Sequence, residues 1–125
     1  MQARSLVSAG AINMFIAVAA GAFGAHGLKQ ALSPEMLAIW QTAALYQMVH
    51  ALGLLMLGAL QQQWNSALLR RAGWAMLAGI VIFSGSLYAL ALSGVRMLGA
   101  ITPVGGVAFL IAWAMLAWDA IRRPR

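Results

Sequence analysis

Cysteine is absent from the 125 residues, and acids number only two, Glu35 and Asp119. Without cysteine there is no disulfide, thiolate nucleophile or thiolate metal ligand, and the redox compartment stays open. Both acids sit near the ends of apolar stretches, and no serine has a base at usable spacing, so nucleophilic catalysis has no machinery here. Zinc would need more nitrogen, sulfur or carboxylate donors than the apolar stretches supply. Charged residues make up 8% of the chain against 63% hydrophobic, a balance far from that of a soluble domain. No phosphate-cradling loop is present either, because Gly105-Gly106 lacks the rest of that motif.

Long uncharged runs take the place of all this. They extend from Ser5 to Leu28, Met36 to Leu69, Ala72 to Val95 and Met97 to Trp118. Each can cross about 30 Å of hydrocarbon, which takes roughly 20 helical residues. Gln61, Gln62, Gln63 and Asn65 end the apolar part of the second run near Leu60. Ser33-Pro34-Glu35 reads as an N-cap, a proline in the first turn and an acid at the positive end of the dipole. Thr102-Pro103 repeats the pattern, which starts the last helix at Pro103 and leaves 96–101 as an apolar connection at the membrane interface or folded over the bundle. The expected fold class is an all-α membrane protein, a four-transmembrane-helix bundle. It forms one integral domain over 1–125, with spans at about 5–28, 35–60, 72–94 and 103–121. The first run resembles a signal peptide around Ala20 to Ala25, but its length and Asn13 favour a retained helix.

The net charge of +6 is distributed as a topology signal rather than as a nucleic-acid surface. Arg4, Arg70, Arg71, Arg122, Arg123 and Arg125 share one side of a four-span protein, and Lys29 and Arg96 lie on the other. The positive-inside rule then places both termini in the cytoplasm. Trp64, Trp74 and Trp118 fall near the cytoplasmic boundary and Trp40 near the opposite one, with Trp113 deeper. Asp119 reads as a solvated helix end that pairs with Arg122 or Arg123 one turn on.

Small residues are spaced for close helix packing: Ala17, Ala20, Gly21, Gly24 and Gly27 on the first helix, Gly79 and Gly85 on the third, Gly105 and Gly106 on the fourth. The eight methionines are scattered and read as packing residues. Polar residues inside the spans are the remaining candidates for chemistry. Measured from the cytoplasmic helix ends, Asn13 lies roughly 12 Å deep, His50 roughly 15 Å and Ser84 roughly 18 Å, so the three form a candidate hydrogen-bonded layer. Tyr46, Gln47 and Tyr88 lie higher, toward His26, Lys29 and Arg96 at the outer mouth. Tyr46 and Gln47 are adjacent and point about 100° apart, so they cannot serve one site as a stacked pair. His50 is open to two readings, a neutral imidazole holding helices in register or a proton- or ligand-handling group. Arg96 has two as well, a lipid phosphate contact or an ion pair with Glu35. His26 and His50 are offset by on the order of 20 Å along the membrane normal, too far for a shared haem.

Four ordered motifs carry a resemblance: Gly21-Ala-Phe-Gly-Ala-His-Gly-Leu-Lys29, Tyr46-Gln-Met-Val-His50, Ser84-Gly-Ser-Leu-Tyr88 and Ile101-Thr-Pro-Val-Gly-Gly106. Together they resemble the YgdD-type family of small inner-membrane proteins, across essentially the whole chain. The resemblance implies a bacterial inner-membrane, multi-pass four-helix protein whose family has no established biochemical function. It marks Gly21, Gly24, His26, Gly27, Lys29, Tyr46, Gln47, His50, Pro103, Gly105 and Gly106. Ala112 departs from the glycine that the family pattern favours before Trp113. The expectation is a non-catalytic structural, assembly or accessory component among membrane lipids, with a membrane-protein partner or as a homo-oligomer, and with no cofactor. A small oligomeric channel or transporter, or a lipid- or quinone-binding protein, is the alternative.

Overall fold

The computed structural model describes residues 1–124. Helix α1 (Ala3–His26) runs into a turn, and α2 (Pro34–Trp64) returns across the molecule. The third span is α3 (Ala67–Gly79), a π-helical turn (Ile80–Ser84) and α4 (Gly85–Ser93) in sequence. A 3-10 helix (Arg96–Ala100) then leads into α5 (Thr102–Ile121). Four helical segments among the described residues are long and apolar enough to cross a membrane, and no strand is present among them.

Local chemistry explains where the segments start and stop. Ser33 Oγ accepts the Met36 N–H at 3.2 Å, which caps α2 behind Pro34. The helix continues past Leu60 to Trp64, because the glutamine run keeps its helical propensity and Gln61 turns inward. Asn65 closes it at φ 43°, a left-handed position that asparagine tolerates. Ser66 then caps α3 through the Leu69 N–H at 3.3 Å, so this span starts at Ala67, ahead of its two arginines. Gly94 ends α4 at φ 73°, where any side chain would be strained. Thr102 does not cap α5. The last helix begins on Ile101 without a side-chain cap, and Thr102 Oγ1 instead bonds to Ser86 Oγ at 2.6 Å across the bundle.

Helix α2 is the central element: α1 packs along it, α4 and the π turn lean on it, and α3 pairs with α5. The seam between α1 and α2 is built on Gly10, Ala17 and Gly24, seven residues apart and buried. A Cβ on Gly10 would sit 2.9 Å from the Ala51 carbonyl oxygen, and one on Gly24 would fall 2.6 Å from the Trp40 ring. The main core joins Leu6, Leu54, Leu57, Leu69, Met76, Ile80 and Phe109. A smaller cluster near the loop between α1 and α2 joins Leu28, Trp40 and Ala91. Ala112 is fully buried, so the alanine before Trp113 is accommodated without a gap in that core.

Only some of the expected packing glycines pack. A Cβ on Gly105 would collide with the Phe83 backbone, and one on Gly79 would meet the Phe109 ring and the Gly105 carbonyl. Gly105 is therefore what lets α5 lie directly against the π turn. Gly21 faces only the mobile end of Met48, Gly27 faces its own helix's Phe23, and Gly106 has ordinary contact distance to Phe83. Gly85 corrects the expectation outright: it is exposed, and nothing lies within 4 Å of its Cβ position. Its spacing matches a packing motif, but its face turns away from the bundle.

Candidate functional site

Polar side chains inside the spans sort into separate groups, not the single layer expected from depth. Asn13 on α1 donates to its own helix at Ala9 O, 2.9 Å away, and accepts from Gln47 Nε2 at 3.2 Å. Tyr88 on α4 donates its hydroxyl to Gln47 Oε1 at 2.8 Å, so one glutamine on the central helix links both neighbours. Trp40 stands against Tyr88 edge-on with ring centroids 4.6 Å apart, and its indole N–H donates to Ala20 O at 2.8 Å. Trp40 is thus buried between helices instead of resting at the interface. Ser84 bonds separately to Ala43 O at 2.8 Å, ending the proposed Asn13–His50–Ser84 set.

His50 is turned the other way, toward α5. The Trp113 indole N–H donates to His50 Nε2 at 3.0 Å, and Nδ1 lies 2.7 Å from the Tyr46 carbonyl oxygen. An indole nitrogen only donates, so Nε2 must accept, and Nδ1 carries the proton and donates to the carbonyl. Both nitrogens are occupied in the neutral tautomer. The imidazole lies flat on Phe109, with centroids 3.5 Å apart and planes 8° from parallel. Tyr46 extends this aromatic wall, packing on Phe83 at 4.5 Å. Gln47 and Tyr46 do diverge as adjacent helical residues must: the first enters the α1–α4 network, the second the α5 side.

Beside this wall is a lateral cleft of about 300 Å³ lined by Leu45, Tyr46, Val49 and His50. A second cleft of about 340 Å³, lined by Trp74, Leu77, Ala78, Val81 and Ile82, is a dent in the lipid-facing side of α3 and the π turn. It is larger, but the first adjoins the aromatic wall and holds a histidine and a phenol. Among the described residues no group of three or more metal-ligating side chains exists.

At the end of the bundle away from the termini, the residues grouped by the sequence do not converge. Arg96 forms a two-pronged ion pair with Glu35, at 2.9 and 3.2 Å, tying the 3-10 helix to the start of α2. Both partners are largely exposed, so the pair is a weak tether. His26 and Lys29 are exposed, and neither makes a side-chain hydrogen bond among the described residues.

The opposite end holds a cluster that sequence reasoning misread. Asp119 is 1% exposed, not solvated. Its carboxylate accepts from Ser66 Oγ at 3.0 Å, from Arg122 Nη2 at 2.9 Å and from Arg123 Nη2 at 2.9 Å. The Ser66 backbone N–H also donates to Gln61 Oε1 at 3.1 Å, and the Arg123 guanidinium lies 4.2 Å over the Trp64 ring. The loop between α2 and α3 is thereby clamped to the end of α5. One signal was available: an acid with arginines at both i+3 and i+4, in a chain with only one other acid.

The family model described as "Protein of unknown function (DUF423)" matches residues 20–106. The chain belongs to the DUF423 family. A UPF0382 membrane protein of Staphylococcus epidermidis is 54% identical over 107 residues, covering 86% of this chain and 87% of that protein. The UPF0382 membrane protein YwdK of Bacillus subtilis is 48% identical over 114 residues, covering 90% and 93%. No solved structure matches the chain. The DUF423 match takes in Gln47 and Tyr88, the Tyr46–His50 segment and the π turn; it begins after Asn13 and ends before Trp113 and Asp119.

Proposed function

We propose that this DUF423 protein is a structural, assembly or accessory component of the bacterial inner membrane, with both termini in the cytoplasm and no catalysis of its own. One observation carries the reading: the inward-turned polar side chains are bonded to one another or to the backbone. Asn13, Gln47 and Tyr88 form one link, His50 and Trp113 another, and Ser86 with Thr102 a third. Groups that could otherwise work on a substrate hold helices in register. The YgdD-type resemblance of the four motifs fits this reading.

Orientation rests on charge. Arg4, Arg70, Arg71, Arg122 and Arg123 lie on the side of the termini, against Lys29, Arg96 and the neutralising Glu35 on the other. A channel is disfavoured because the residues lining both clefts, Val81 and Leu45 among them, face outward to lipid rather than onto a central path. Native mass spectrometry of the tagged protein, gently extracted from its own membrane, tests the accessory role. A stoichiometric membrane-protein partner is expected; a chain found consistently as a lone monomer counts against it.

A further inference from the structure

The Tyr46 cleft has the makings of a ligand site that the register-holding network leaves unused. The Tyr46 hydroxyl makes no hydrogen bond among the described residues, unlike that of Tyr88. Tyr46 lies three residues from the middle of α2, so its Cα is roughly 5 Å from mid-helix along the axis. The hydrocarbon core extends roughly 15 Å either side of the bilayer centre. A phenol at this depth meets no water, and an unpaired hydroxyl there is costly. Glycerolipid ester carbonyls lie at the edge of the core, well above it. The acceptor that would satisfy Tyr46 must therefore be carried inside the membrane by an apolar molecule.

We propose that this cleft binds the head ring of a lipid-soluble quinone, with the Tyr46 hydroxyl donating to a ring carbonyl. The recess is about 300 Å³, at the lower end of the range for small-molecule sites, and it opens sideways to lipid. Its lining includes the Tyr46 and His50 rings, 16° from parallel, and these are backed by Phe83 against Tyr46 and Phe109 against His50. Phe83 belongs to the π turn, a distortion that often accompanies function, and Gly105 lets α5 press it into place. From Leu45 and Val49 in the recess, Leu52 and Met56 continue at helical spacing along the exposed face of α2, giving an isoprenoid tail an apolar track. His50 offers the ligand no hydrogen bond, since both its nitrogens are already bonded and one ring face is covered by Phe109. Binding is the whole of the proposal, with no electron or proton transfer.

The test uses the full chain in phosphatidylcholine nanodiscs, titrated with ubiquinone-2 and, separately, menaquinone-2, with bound quinone counted by native mass spectrometry. One quinone per chain with saturation is expected for at least one of the two. Tyr46→Phe removes only an oxygen that has no protein partner, so it should melt as the native chain does and bind about tenfold more weakly. Leu45→Trp should fill the recess and abolish binding. Absence of saturation with both quinones, or equal affinity in Tyr46→Phe, would overturn the assignment. So would a homodimer that Tyr46→Phe dissociates, because the hydroxyl would then serve a second copy of the chain.

Discussion

Replacing Asp119 with asparagine preserves the shape of a buried group and removes its charge. In the native chain its two oxygens receive one serine hydroxyl and four guanidinium N–H groups, at 2.9–3.3 Å. Removing one member of a buried ion pair costs about 3–5 kcal/mol when the abandoned charge stays dry. Here the abandoned charges are not dry: the Arg122 side chain is 53% exposed and that of Arg123 29%. Water can rehydrate them, which lowers the expected cost to about 2 kcal/mol. Ser66→Ala should cost about 1 kcal/mol, since it loses both the cap on α3 and the bond to Asp119.

Equilibrium unfolding in mixed detergent–dodecyl sulfate micelles reads these differences directly. The double variant should be less destabilised than the sum of the two, because Asp119→Asn weakens the same bond that Ser66→Ala removes. An Asp119→Asn protein within about 0.5 kcal/mol of the native chain, with strict additivity to Ser66→Ala, would mean that the carboxylate is solvated and the clamp does not exist.

Gly105→Ala should lower the melting temperature sharply, because its Cβ meets the Phe83 backbone, whereas Gly85→Ala should be neutral or slightly stabilising by helix propensity. Equal melting of the two would dismiss the close approach at the π turn. His50→Leu strands the Trp113 N–H and should cost about 1–3 kcal/mol, and an unchanged melting curve would remove its register role. A reporter fused at residue 125 should register as cytoplasmic, and a periplasmic signal would reverse the charge-based orientation.

The four spans and the Ser33 cap could be read from the residues; helix rotation and the relative depth of the polar side chains could not. The residues mark Asn13, Gln47 and Tyr88 as intramembrane polar groups, but depth counting puts Asn13 roughly 10 Å nearer the cytoplasmic end than the other two, which the structure bonds to it in one chain. Depth counting sets Asn13 beside His50, three residues and about one helical turn along α2 from its actual partner, Gln47. In water, an amphipathic stripe announces which face turns inward. In lipid both faces are apolar: exposed Phe15, Leu52 and Leu110 differ little in type from buried Leu6, Leu54 and Phe109. Small-residue spacing is a partial substitute, and it succeeded at Gly24 and Gly105 and failed at Gly85.

Asp119 shows a second limit, because its burial depends on a loop 53 residues earlier in the chain. Asn65 turns α2 back, Ser66 caps α3, and the same serine hydroxyl reaches the carboxylate. Each step is ordinary local chemistry, but their sum places an acid under two arginines at the end that carries most of the positive charge. Loss of the clamp would free both guanidinium groups for lipid phosphate while untying α5 from the loop between α2 and α3. The cluster therefore couples bundle closure to the charge presented at that surface. Asp119→Asn should accordingly loosen the α5 terminus while strengthening attraction to anionic lipid, two effects that a solvated helix-end acid would not link.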